Sequence, residues 1–203
     1  MNPINLFLNS LFSPKLALGF VVKIKLKWST VIEGAIFVSI VNTILTHLLN
    51  SITYSTTQVQ NQLLKFYLDL VFNKPILLSL IELFQIFFFA ALLTFGGRLF
   101  NGKGEFLNNL KGVVWIHFII IFINVILFIL THLSFALASF LILLRQFWFM
   151  WALSECAVKV HGFKSTILVF ILGVLLFIML FAFFIQFIDS IGINFLERAG
   201  LNV

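Results

Sequence analysis

A helix that crosses about 30 Å of hydrocarbon needs about 20 consecutive, largely apolar residues. This chain contains five such stretches, at 31–52, 76–95, 113–131, 134–158 and 166–188. In lipid every backbone polar group must be satisfied within the spanning structure, which leaves helices or closed barrels. Barrel strands would read as short alternating segments rather than continuous apolar runs. The expected fold is therefore all-α: a polytopic membrane bundle of five transmembrane helices. Composition supports the same solvent. Hydrophobic residues make up 62% of the 203 and charged residues only 10%, with mean hydropathy +1.15. Too few polar side chains exist to cover a water-facing surface. A soluble enzyme, a secreted disulfide scaffold and a disordered tail are excluded. The lone cysteine, Cys156, excludes an intrachain disulfide and a cysteine-rich metal site.

The spans divide the chain into an interfacial amino-terminal segment (1–30), a five-helix domain (31–188) and a tail (189–203). No cleavable signal pattern precedes them, so the amino terminus is expected to be retained. Pro75 stands where a helix loses nothing by lacking an N–H. Two residues separate the third and fourth spans, making them antiparallel neighbours. Loop charge sets orientation. Nine lysines and arginines, Lys15, Lys23, Lys25 and Lys27 among them, fall on the amino-terminal side, against Lys65, Lys74 and Arg198 on the other. The amino terminus is then expected in the cytoplasm and the carboxyl terminus outside it.

Two segments carry apolar residues at i, i+3, i+4, i+7 spacing: Ile4, Phe7, Leu8, Leu11 and Phe12, then Leu63, Phe66, Tyr67, Leu70 and Val71. Both read as interfacial amphipathic helices, lying flat on the membrane or packed on the bundle ends. Between them, residues 23–28 alternate lysine with apolar residues and read as extended, with Lys23, Lys25 and Lys27 offered to anionic phospholipid.

Residues 97–103 fit the first seven positions of a phosphate-binding loop, yet the eighth is Gly104 rather than Ser or Thr, and no strand precedes them. Glycines of a tight turn explain them better. His47, His117, His132 and His161 lack the spacing of a metal site. No nucleophile–base constellation emerges, and no catalysis, cofactor or metal is expected. The informative charges lie inside spans. Arg145 is midway along the fourth, where a lone arginine costs about 2.5–3.5 kcal/mol by insertion scales. Glu82 and Gln85 lie in the second. A buried Glu82–Arg145 pair is expected, as a clamp fixing helix register or as a solute-linked site. Asn42, Asn124 and His117 read as helix glue, with a cavity lining as the alternative. Glu155 precedes Lys159 by four residues, the favourable helical order.

The loop Gly97-Arg98-Leu99-Phe100-Asn101-Gly102-Lys103-Gly104-Glu105-Phe106 resembles the glycine-basic-glycine-aromatic loop of the Yip family (Ypt-interacting proteins). Trp151-Ala152-Leu153-Ser154-Glu155 followed by Val160-His161-Gly162-Phe163-Lys164-Ser165 resembles that family's connection between its last two spans. Eukaryotic members carry a long polar arm and a Tyr-Gly-Pro motif, both absent here, so the likeness is to the bacterial branch. The Rab-type GTPase contact of the eukaryotic members does not transfer. For bacterial relatives the resemblance implies no settled activity, and the expected role is a non-catalytic scaffold for membrane organisation in a bacterial inner membrane. Its loop contacts would be Arg98, Lys103, Glu155, His161 and Lys164. Its partners would be the bilayer and its anionic lipids, with a second copy or another membrane protein, and no nucleic acid. The rival is a small solute or ion transporter or channel subunit built around Glu82, Arg145, Asn42 and Asn124.

Overall fold

The computed structural model describes residues 2–53 and 62–190. It is all-helical: α1 (Pro3–Phe12), α2 (Pro14–Val21), α3 (Trp28–Thr53), α4 (Gln62–Asn73), α5 (Pro75–Leu99), α6 (Phe106–Leu133), α7 (Phe135–His161) and α8 (Thr166–Ser190). Residues 191–203, the greater part of the expected tail, lie outside the description, as does Arg198.

Local chemistry sets the boundaries. Proline opens α1, α2 and α5, where its missing N–H costs nothing. Ser134 alone joins α6 to α7; it closes the first and caps the second, its Oγ accepting from the Leu137 N–H at 3.3 Å. Gly162, at φ 77°, ends α7 in the left-handed conformation that glycine tolerates. Residues 25–27 are irregular rather than a strand, because Lys111 Nζ donates to the Ile24 carbonyl at 3.0 Å and pins the turn to α6.

Four helices are long and apolar enough to cross a membrane among the described residues: Trp28–Ser51, Pro75–Leu99, Phe106–Leu130 and Ser139–His161. The bundle is thus a helical membrane fold, with four such helices where the sequence suggested five. In α8 the qualifying apolar stretch is the shorter Thr166–Met179. α6 is the central helix, packed by α3, α5 and α7, while α8 rests on α7. Fully buried Val38, Ile86, Leu110, Val113 and Ile116 form the core, and Ala35, Ala90 and Ala152 let the backbones approach. Gly112 faces the Cys156 thiol so closely that no Cβ would fit between them.

One end of the bundle, here the loop face, gathers the start of α3, the α5–α6 turn and the α7–α8 turn; the distal face carries α4 and the α6–α7 turn. The amino-terminal helices climb the flank from the loop face instead of lying alone. The Lys159 side chain, near the end of α7, lies against Gly19. Trp148, eleven residues back along α7 and so about 16 Å away along the helix, donates from Nε1 to the Leu11 carbonyl at 3.0 Å. Trp115 Nε1 donates to Ser10 Oγ at 2.9 Å, and Phe7 meets Phe122 edge-on, centroids 4.9 Å apart. Ser10, Pro14, Ala17, Leu18 and Val21 are buried, whereas Ile4, Leu8, Phe12, Leu16 and Phe20, one turn apart in succession, are exposed. The i+4 row therefore faces outward along the whole pair. A helix lying flat on a surface could not make these contacts; α1 is held against the bundle side by two indoles.

Candidate functional site

At the loop face, α5, α6 and α7 converge on one imidazole. His161 is buried at the end of α7, and Gly97, Gly102 and Gly104 wrap it. A Cβ at Gly97 or Gly102 would overlap the ring, and one at Gly104 would stand 2.6 Å from it. The Gly104 N–H donates to His161 Nδ1 at 3.1 Å, so that nitrogen carries no proton. The Asn109 carboxamide lies 3.2 Å from Nε2 and donates to Thr94 Oγ1 at 2.9 Å; Thr94 in turn donates to the Ala90 carbonyl. Phe163 stacks on the ring, centroids 5.4 Å apart. The residues that looked like a phosphate loop are thus a cradle for a side chain of the same protein. Asn101, at φ 59°, makes the left-handed turn between the first two glycines.

This closure corrects two expected contacts. His161 fills the cradle and Glu155 is 5% exposed, so neither is offered to a partner at the surface. Glu155 also makes no ion pair with Lys159, whose stem turns away towards Gly19. What stays outside is predominantly basic: Lys23, Lys25, Lys27, Arg98, Lys103 and Lys164 are all exposed on the loop face, against Glu33 and Glu105. Leu99 and Phe100, between Arg98 and Lys103, are 79% and 56% exposed.

Towards the distal face the four core helices line a second feature, an open cavity of about 720 Å³. Glu82 and Gln85 on α5, Asn42 and Thr46 on α3, His117 and Asn124 on α6, and Arg145 and Gln146 on α7 line it, with Tyr67 of α4 at its edge. The expected direct Glu82–Arg145 contact is not formed, because no ion pair within 4.0 Å joins them. Asn124 stands nearer to the guanidinium, accepts from its Nη1 at 2.6 Å, and donates to Asn42 Oδ1 at 3.5 Å. Arg145 is therefore held by an amide chain linking α7, α6 and α3, and Glu82 faces the same space unpaired among the described residues. Asn42 and Asn124 are helix glue and cavity wall at once. His117 Nδ1 bonds the Val113 carbonyl at 2.9 Å, and His47 Nδ1 the Val71 carbonyl at 3.1 Å, so these two rings serve separate helices. The His132 side chain lies outside the described residues.

Sequence reasoning missed that Trp115 and Trp148 anchor α1 and that Thr94 and Asn109 brace the imidazole. The glycine triplet and the His-Gly pair were visible, but not that one encloses the other.

The two loops that meet at His161 are the same two that carry the family resemblance, and they lie within one matched region. The Yip1 domain model matches residues 8–186. The chain belongs to the Yip1 family. No curated protein and no solved structure matches it. The Yip1 domain here thus contains both the imidazole cradle and the distal cavity, and its matched region begins within α1, the helix fastened to the bundle flank.

Proposed function

We propose that this Yip1-domain protein is a non-catalytic membrane scaffold whose loop face is cytoplasmic and engages anionic lipid together with another membrane protein or a second copy. The observation that carries the reading is the exposed basic face beside a locked loop. Arg98, Leu99, Phe100 and Lys103 project from a turn whose backbone is fixed by His161, while Lys23, Lys25 and Lys27 stand on the neighbouring turn. Basic residues interleaved with exposed apolar ones suit a headgroup layer, each lysine adding about 1 kcal/mol of attraction to an anionic surface. α8 completes the reading as a fifth span: its 25 residues extend about 37 Å. The carboxyl terminus then lies across the membrane from the loop face, and the amino-terminal helices enter the membrane from the cytoplasmic side. A bacterial inner membrane, rich in anionic lipid, fits this arrangement.

Exchange of Lys23, Lys25 and Lys27 for Gln tests it. In nanodiscs of mixed neutral and anionic lipid, the triple variant is expected to lose anionic-lipid enrichment around the protein. Equal enrichment in both would refute the lipid assignment. A second reading, a solute transporter subunit, draws on the cavity at Glu82 and Arg145. Flux into proteoliposomes that Glu82→Gln abolishes would favour it; tight vesicles favour the scaffold.

A further inference from the structure

The distal cavity holds two opposite charges that do not neutralise each other by contact, in a region where each unpaired charge is costly. Arg145 makes one hydrogen bond among the described residues, to Asn124, leaving about four of its five N–H donors for something else. Glu82 makes none there. A purely anionic ligand would leave the carboxylate unanswered, and a purely cationic one the guanidinium. At about 720 Å³ the space is far larger than a single ion needs and lies within the range of sites for whole small molecules. Below it the bundle closes on buried Ile86, Phe89, Val113 and Phe149, so it is a blind chamber rather than a pore. Its rim includes exposed Ile142 (38%) and Leu143 (61%), which offer an apolar edge.

From this geometry we infer that the chamber binds a zwitterion bearing a phosphate and a primary ammonium, the pattern of a phosphoethanolamine group. Arg145 takes the phosphate in its planar fork, and Glu82 takes the ammonium. Gln85 and Gln146 add amide groups to the same wall. The group reaches the chamber either as a lipid head, with its chains over Ile142 and Leu143, or free. The inference is independent of the scaffold reading, which rests on the opposite face of the bundle.

The test uses the full-length protein in detergent, with bound lipid counted by native mass spectrometry. The probes are phosphatidylethanolamine, phosphatidylglycerol and free O-phosphoethanolamine. Wild type is expected to hold phosphatidylethanolamine about tenfold tighter than phosphatidylglycerol, the margin of one charge-assisted contact. Glu82→Gln removes that preference, and Arg145→Gln weakens both lipids about tenfold. Should Arg145→Gln fail to fold, Arg145→Lys keeps the charge without the fork and still binds more weakly. Competition by O-phosphoethanolamine assigns the free source, and its failure to compete assigns the lipid; either supports the ligand class. Equal affinity of wild type for the two lipids, or a preference that survives Glu82→Gln, overturns the inference.

Discussion

Gly97→Ala puts a methyl group where the His161 ring stands, and the size of the effect follows from what must move. Gly97 lies in α5, so the helix itself would gain up to about 1 kcal/mol from alanine. Against that, forcing a methyl group into a filled site costs about 1–3 kcal/mol. Displacing the ring also strips the buried Gly104 N–H of its acceptor, a further loss of about 1–3 kcal/mol. The net expectation is a destabilisation of about 3 kcal/mol, the middle of a range of about 1–5, which in a chain of this size lowers Tm by roughly 6–12 °C. Cys156 supplies the assay: it is the only thiol, fully buried, and reacts with a fluorogenic maleimide only when the bundle opens. His161→Ala alone also destabilises, but in the double variant the smaller side chain leaves room for the new methyl. The two changes therefore couple by about 1 kcal/mol or more instead of adding. Strict additivity, or a Gly97→Ala protein that opens at the wild-type temperature, would refute the cradle.

Other consequences are open to equally direct checks. Trp148→Phe removes the donor to the Leu11 carbonyl at a cost of about 0.5–1.5 kcal/mol; a cysteine placed at buried Ala17 in a Cys156→Ala background should then label faster, and an unchanged rate contradicts the anchor. Gly112→Ala meets the Cys156 sulfur and lowers the melting temperature seen by circular dichroism, while adding Cys156→Ala restores it; no restoration contradicts the close crossing of α6 and α7. The Asp69 carboxyl is held below its ordinary 3.8 by hydrogen bonds from Asn73, at 2.8 Å, and Lys74. Its folded pKa is depressed, so its contribution to the α4–α5 junction is present above about pH 3.8 and is lost as pH falls through the lower folded value. A titration midpoint for Asp69 at or above 3.8 would contradict it.

The bundle was legible because hydrophobicity over a helix-long window is a property of the chain alone. Segments 76–95 and 134–158 fall inside α5 and nearly inside α7, with the real helices a few residues longer where loops continue the winding. The amphipathic pattern of residues 3–12 was equally plain, but Ile4, Leu8 and Phe12 of its apolar stripe face outward, and the side turned to the bundle is another one. Ser10, polar on that face, is the residue Trp115 grips, and a contact between positions more than a hundred apart leaves no periodic trace. Glu82 and Arg145 stand out in the sequence as charges inside apolar stretches, yet whether they touch depends on a third side chain, Asn124, which takes the guanidinium instead. His161 and Glu155 were read as surface residues because both stand near a helix end; the glycines that let α5 close over the ring turned that end into core.

Which compartment the basic loop face meets decides the orientation of the whole bundle. In a Cys156→Ala background, single cysteines at Lys103 on the loop face and Lys74 on the distal face can be labelled in intact cells with a membrane-impermeant maleimide. Position 74 is expected to label directly and position 103 only after permeabilisation. Labelling of position 103 from outside, or of both positions from the same side, would contradict the arrangement.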